Sequence, residues 1–163
     1  MRFAYADPPY LGCAKRYDHP EAGIWDTVQA HQDLIEKLVS EYPDGWALSA
    51  SSPSLRTLLS LCPESVRVLA WVKPFSIFKP GVGLAYTWEP VIFYGGRKIS
   101  RKQPTVKDHL VCNITLKKGL CGAKPSAFCE WVLRCLNYQP GDTVDDLFPG
   151  TGIFGKVLNE FAA

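Results

Sequence analysis

The sequence predicts an α/β protein built on a mostly parallel sheet flanked by helices, and three observations carry that prediction. Short apolar runs that read as strands alternate with longer segments of helical period. The strand runs are apolar on both faces, as strands covered by helices on two sides must be. With 163 residues, 47% hydrophobic and 21% charged, the chain has the size and balance of one ordinary domain, residues 1–163.

The elements follow in order. Residues 3–6, Phe-Ala-Tyr-Ala, read as a short buried strand that ends at Asp7-Pro8-Pro9-Tyr10, with a polar loop over 11–23. Asp26 is expected to cap the next helix, with Gln29 three residues on completing a capping box. Val28, Ile35, Leu38, Val39 and Tyr42 then share one face of that helix, which Pro43-Asp44-Gly45 stops. Residues 46–51 read as a second strand. Ser52-Pro53 opens a short helix carrying Leu55, Leu58 and Leu59. Residues 66–72 form a third strand, and 73–83, with Pro74, Pro80, Gly81 and Gly83, a loop. Residues 88–94 and 109–115 are further strands. Lys124-Pro125 opens a helix that buries Phe128, Trp131, Val132 and Leu136. A last strand over 143–148 leads into a glycine turn and a closing helix that runs to Phe161.

Several classes of function are excluded at this level. No apolar run approaches the ~18 residues of a membrane span, so no membrane partner is expected. The opening Met1 to Ala6 meets Asp7-Pro8 at once and leaves no room for a signal peptide, which predicts a cytoplasmic protein. The six cysteines (13, 62, 112, 121, 129, 135) contain no Cys-x-x-Cys pair, and the histidines (19, 31, 109) lie far apart. No metal site is expected, and the cysteines read as small buried hydrophobes. The net charge is +2, but it is unevenly spread. Between positions 97 and 118, Arg97, Lys98, Arg101, Lys102, Lys107, Lys117 and Lys118 face a single acid, Asp108. With Gln103 and Asn113 interleaved, that stretch is expected to contact a polyanion.

The glycine turn at 150–156 matches three patterns. Read as a phosphate-binding loop it lacks the Ser or Thr after Lys156, where Val157 stands. As a dinucleotide fingerprint it lacks an acid some 20 residues on. Read from Asp146, as Asp-Leu-Phe-Pro-Gly-Thr-Gly, it offers a strand-end carboxylate, an aromatic and two glycines. That set suits a nucleoside with a charged amino-acid tail.

Asp7-Pro8-Pro9-Tyr10 after a buried strand resembles the catalytic motif of amino-methyltransferases, which methylate exocyclic amines of nucleobases with S-adenosylmethionine. Asp146 to Gly152 resembles their cofactor motif, and Lys124-Pro125-Ser126 their additional cofactor motif. Trp71-Val72-Lys73 and Trp88-Glu89-Pro90 are similar to the messenger-RNA adenine methyltransferase branch and its bacterial and phage relatives. The resemblance implies a Rossmann-like methyltransferase fold in circularly permuted motif order, catalytic motif first and cofactor motif last. Relatives place a further strand after the closing helix, ending in an acid that grips the cofactor ribose. Only eleven residues follow Gly152 here, so the fold is expected to be truncated after the glycine motif.

The roles implied are specific. Asp7 and the carbonyl of Pro8 would accept the two hydrogens of the target amine, Pro9 would stiffen the turn, and Tyr10 would stack on the extruded base. Ala6, Asp7, Lys124, Ser126, Asp146, Phe148, Gly150 and Gly152 would surround S-adenosylmethionine. Lys124 and Ser126 would hold its carboxylate. Lys15, Arg16, Lys73, Arg97, Lys98, Arg101 and Lys102 would contact nucleic acid. The leading expectation is N6-adenine methylation of DNA. RNA adenine or cytosine methylation and a catalytically inactive nucleic-acid-binding subunit are the alternatives. With no separate target-recognition domain, sequence specificity is expected to be modest or supplied by a partner, and the partners considered are a homodimer or a recognition subunit.

Overall fold

The computed structural model describes residues 1–17, 20–75, 80–115 and 123–162; His19, Lys117, Lys118 and Cys121, named above, lie outside them. The chain runs β1 (Arg2–Ala6), two 3-10 turns (Ala14–Arg16 and Ala22–Asp26), α1 (Val28–Glu41) and β2 (Gly45–Ser49). A 3-10 turn at Ser52–Ser54 leads into α2 (Leu55–Leu61), followed by β3 (Arg67–Val72), β4 (Trp88–Gly95) and β5 (His109–Val111). Then come α3 (Ser126–Leu136), β6 (Thr143–Asp146) and α4 (Ile153–Ala162).

Six strands form one sheet in the order β5-β3-β4-β2-β1-β6. β4 alone runs against the others, antiparallel to β2 and β3; the remaining pairings are parallel. The pleat of β1 explains the layering. Phe3 and Tyr5 point into a core shared with α3 and α4, while Ala4 and Ala6 point to the opposite face, into a core shared with α1 and α2. Phe3, Phe128, Leu38 and Leu48 are fully buried, each contributing on the order of 1.5–3 kcal/mol.

Helix α1 starts one residue later than the capping box suggests. The Thr27 hydroxyl accepts from Ala30 N at 3.3 Å, and Asp26 instead accepts from Ala14 N at 3.0 Å, tying the two 3-10 turns together. Its buried stripe is His31, Leu34, Ile35 and Leu38. Val39, about 100° round from Leu38, is 39% exposed, and Val28 is 44% exposed. β5 spans three residues rather than seven. β6 stops at Asp146, whose Oδ1 accepts from Phe148 N at 3.2 Å and turns the chain out of the sheet.

Cys13, Cys62, Cys112, Cys129 and Cys135 are free thiols, of which Cys129 is buried and the others half-buried. Burial pushes Cys129 and Cys135 up to about 12. Among the described residues no group of His, Cys, Asp and Glu could hold a metal. No described helix is long and apolar enough to cross a membrane.

The two ends of the sheet are chemically different. At one end, beyond the carboxyl termini of β1 and β6, lie Asp7 and the glycine turn. Glu89, at the start of the reversed β4, comes to the same end because it pairs with Trp71 near the end of β3. At the other end, Asp142 takes the N-terminal ammonium at 2.7 Å and both its oxygens accept from Arg97, at 2.6 and 2.8 Å. Burial alone would raise the Asp142 carboxyl, but Arg97 and the N-terminus hold it at about 2.

Candidate active site

The first four residues beyond β1 place a carboxylate, two prolines and a phenol at the mouth of the sheet. Asp7 Oδ1 accepts from Lys124 Nζ at 2.9 Å, and Lys124 donates again to the Tyr10 hydroxyl at 3.0 Å. The Tyr10 hydroxyl has one hydrogen to give. Glu89 Oε2 at 2.8 Å is better placed to take it than Asp7 Oδ1 at 3.3 Å. The other Glu89 oxygen accepts from Lys73 Nζ at 2.8 Å. Two carboxylates and two ammoniums therefore balance around one neutral phenol. Lys124 is the most enclosed of the four charged side chains, at 6% exposure, and its ammonium also lies over the rings of Tyr10, Trp71 and Phe128.

Electrostatics divide the two carboxylates. Burial raises Asp7 above the usual carboxylate range, with Lys124 opposing it. Burial also acts on Glu89, but Lys124 and Lys73 outweigh it and hold Glu89 below that range. Burial would lower Lys124, yet Asp7 and Glu89 raise it, so it stays charged. Burial and both carboxylates push Tyr10 well above an ordinary phenol. Glu89 is thus locked into structure, while Asp7 faces open space.

That space is a cavity of about 590 Å³ at the carboxyl ends of β1 and β6. The parallel register sets Tyr5 beside Asp146 and so brings the Asp7 turn and the glycine turn together. Tyr5, stacked on Phe154 at 4.6 Å, forms part of the floor. Trp25 and Phe148, edge to face at 5.1 Å, form a side wall. Asp146 lines the cavity, whereas Asp145 turns away to Arg2 at 2.7 Å and the Tyr42 hydroxyl at 2.8 Å. Burial, and after it the negative charge of Asp7, raise Asp146; the Phe148 amide opposes them. Among the described residues Asp146 has no cationic partner. Gly150 (φ +45°) and Gly152 (φ +72°) both take the left-handed backbone that favours glycine. Gly152 N donates to Pro149 O at 2.6 Å and Gly152 O accepts from Lys156 N at 3.1 Å, which starts α4.

Asp7, Pro9, Lys124, Asp146, Phe148 and Gly150 thus meet around one cavity, with Tyr10 and Glu89 just behind Asp7. Other expectations are corrected. Ser126 is exposed on the first turn of α3 and does not line the cavity, because Pro125 sends the helix inward only from Phe128. Lys124 gives two of its three hydrogens to Asp7 and Tyr10, and Glu89 Oε2 lies 3.4 Å from the same nitrogen, so the ammonium is engaged with the protein's own groups. Ala6 is buried against α1 and α2 instead of lining the cavity. Gly152 shapes the turn without lining it. Pro8 is buried.

The cation assignments change most. Lys73 is paired with Glu89 and only 10% exposed. Arg97 is clasped by Asp142 at the far end of the sheet, and Lys98, Arg101 and Lys102 follow it there as exposed residues. Asn137, in left-handed backbone at the end of α3, binds the Arg97 and Lys98 carbonyls at 3.4 Å and the Gln103 amide at 3.2 Å. The five residues of β1 separate this end from Asp7, about 16 Å at ~3.3 Å per residue. Lys15 and Arg16 are exposed in the 3-10 turn that Cys13 N ties to Tyr10 O at 2.8 Å, at the same end of the sheet as Asp7. The wall residues Trp25, Tyr5 and Phe154 are not singled out by the sequence pattern. A tryptophan next to a helix cap in an otherwise polar loop is the one local signal for Trp25.

A parallel sheet with one reversed strand, helices on both faces and the cavity across the carboxyl ends defines a Rossmann-like methyltransferase fold. M1.HpyAVI, in its complex with SAM, matches 98% of this chain and 77% of its own with a TM-score of 0.62 and 15% identity. TTHA0409 of Thermus thermophilus, provisionally described as a DNA modification methylase and complexed with S-adenosyl-L-methionine, matches 98% of this chain and 77% of its own. Its TM-score is 0.58 and its identity 16%. At those identities the likeness is one of fold. No protein-family model and no curated protein sequence matches the chain.

Proposed function

We propose that this chain is an S-adenosylmethionine-dependent methyltransferase acting on the exocyclic amine of adenine in DNA, with its motifs in permuted order. The observation that supports it is the juxtaposition of Asp7 and Asp146 across one cavity, two carboxylates with different surroundings and different tasks. The residues fit the cofactor. The cavity lies within the ~300–1,000 Å³ usual for small-molecule sites, its wall is aromatic, and Asp146 is an uncompensated carboxylate suited to an ammonium. Phe148 and the Gly150 backbone would pack against the rest. S-adenosylmethionine, when bound, supplies an electrophilic methyl group.

The protein's own part is to bind and orient the amine. The adenine amino group is a poor nucleophile because its lone pair is delocalised into the ring. Asp7 takes one amino hydrogen and the Pro8 carbonyl the other, pulling the nitrogen toward a pyramidal state. Lys124, itself held by the Tyr10 hydroxyl, fixes the Asp7 carboxylate before substrate arrives, so alignment costs nothing at the moment of reaction. Tyr10, held by its hydroxyl, presents its ring to an extruded base. Lys15 and Arg16, beside the mouth, contact the flanking phosphates.

Asp7→Asn tests this reading. It preserves shape and the Lys124 contact but removes the charge. Methyl transfer to adenine-containing oligonucleotides should fall by about 10²–10³-fold, with S-adenosylmethionine affinity kept within about threefold. Mass spectrometry of the product nucleosides identifies the base and distinguishes DNA from RNA. Activity retained within tenfold would remove Asp7 from the chemistry.

A further inference from the structure

His31 is a titratable side chain that the chemistry above does not use, yet it is 1% exposed in the first turns of α1. Its Nε2 lies 2.9 Å from the carbonyl oxygen of Trp25. A carbonyl can only accept, so Nε2 carries the hydrogen and Nδ1 is the bare nitrogen. That Nδ1 is buried without a hydrogen-bond partner. A buried imidazole with one nitrogen unmet is a poor choice for filling a core, where leucine would avoid the cost of a lost hydrogen bond. Its retained contact is the one to Trp25.

Trp25 sits in the 3-10 turn Ala22–Asp26, immediately ahead of α1. Asp26 reaches Ala14 N, and the turn closes through Thr27 N to Ile24 O. The Trp25 ring is packed edge to face against two others, His31 at 5.4 Å and Phe148 at 5.1 Å. Phe148 belongs to the glycine turn and Trp25 itself lines the 590 Å³ cavity. One side of His31 therefore holds the backbone of the wall, and its ring edge holds the wall's side chain.

We infer that His31 is a positioning residue for the cofactor cavity: by donating to the Trp25 carbonyl it sets the indole against Phe148 and so fixes the aromatic wall. This inference rests on the reading of the cavity as the S-adenosylmethionine site. His31 acts through Trp25 and touches neither the cavity nor the reacting groups.

The test is a double-mutant cycle read by S-adenosylmethionine titration and by hydrogen exchange of residues 22–26. His31→Phe keeps a ring of similar shape without the donor, and should weaken cofactor binding by about five- to tenfold, the worth of one net hydrogen bond. His31→Gln carries an amide donor at a similar reach and should recover most of that loss. In a Trp25→Ala background, His31→Phe should change affinity by less than twofold, because its route of action is already gone. Exchange over 22–26 in the ligand-free protein should quicken with Phe and return with Gln. Additive effects of His31→Phe and Trp25→Ala, or failure of Gln to rescue while the variants stay folded, would overturn the inference. If the unaltered protein binds no S-adenosylmethionine, the cofactor reading falls instead. The exchange rates then decide the His31 role alone, with unchanged exchange in His31→Phe refuting it.

Discussion

Lys124→Met removes the cation at the centre of the site, and the geometry fixes what should follow. Lys124 Nζ lies 2.9 Å from Asp7 Oδ1 and 3.4 Å from Glu89 Oε2, at 6% exposure. Glu89 keeps Lys73 at 2.8 Å, so Asp7 bears most of the loss. A close opposite charge commonly lowers a carboxyl pKa by about 1–3 units, each unit being about 1.4 kcal/mol. Asp7 already stands above the usual range through burial, with Lys124 opposing; without Lys124 it must climb further. The stability consequence has a definite sign. A carboxyl whose folded pKa exceeds its unfolded value binds more protons when folded, so stability is greatest below the unfolded pKa. It is lost as pH rises through the folded one. Lys124→Met should therefore be destabilised by about 1.5–4 kcal/mol at pH 8 and visibly less near pH 4. Under the proposed function the acid limb of the pH–activity profile should also move up by about 1–3 units, since Asp7 must be ionised to accept the amine hydrogen. Denaturant unfolding at the two pH values and kcat/KM across pH measure both effects. Equal destabilisation at pH 4 and pH 8, with an unmoved acid limb, would refute the claim that Lys124 acts on Asp7 by charge.

Two further outcomes are expected. Asp146→Asn should weaken S-adenosylmethionine binding by tenfold or more, from the loss of a charge-assisted bond of about 1.5–3 kcal/mol, and Asp145→Asn should leave it unchanged while lowering the melting temperature slightly through Arg2 and Tyr42; calorimetry on both variants checks this. Replacing Lys15 and Arg16 with Gln should flatten the salt dependence of DNA binding, by roughly one unit of slope for each phosphate that is no longer neutralised. The same change at Lys98, Arg101 and Lys102 should leave the slope unaltered if DNA binds at the Asp7 end.

Much of the site was legible because its signals are local. A four-residue turn after an apolar strand needs no tertiary knowledge to be found, and strand parity distinguishes Asp146 from Asp145 once the apolar Val144 is taken as inward-facing. Ile35 and Leu38 in α1 and the inward face of α3 followed from spacing in the same way, whereas Val28 and Val39, placed on the same α1 face by the sequence, are exposed. What was not legible depends on pairing across the chain. The adjacency of β1 and β6, residues over 130 positions apart, is a register fact. The choice of Thr27 over Asp26 as cap was decided by Ala14 N, a partner twelve residues upstream of Asp26 that competed for its carboxylate.

The basic stretch from Arg97 onward shows why local charge is a weak guide to a binding face. A charge sum has no direction, while a strand does. Because β4 runs against its neighbours, its start carries Glu89 to the Asp7 end and its exit delivers Arg97 to the opposite end. There Arg97 meets Asp142 and the N-terminal ammonium, and Asn137 binds the backbone that follows. One reversal in an otherwise parallel sheet thus separates two ionic assemblies that are close in sequence. The same reversal supplies Glu89, and through it Lys73, to hold Tyr10 beside Asp7. With Glu89 satisfied by Lys73 and Tyr10, Asp7 is the carboxylate of the pair that remains directed at the cavity.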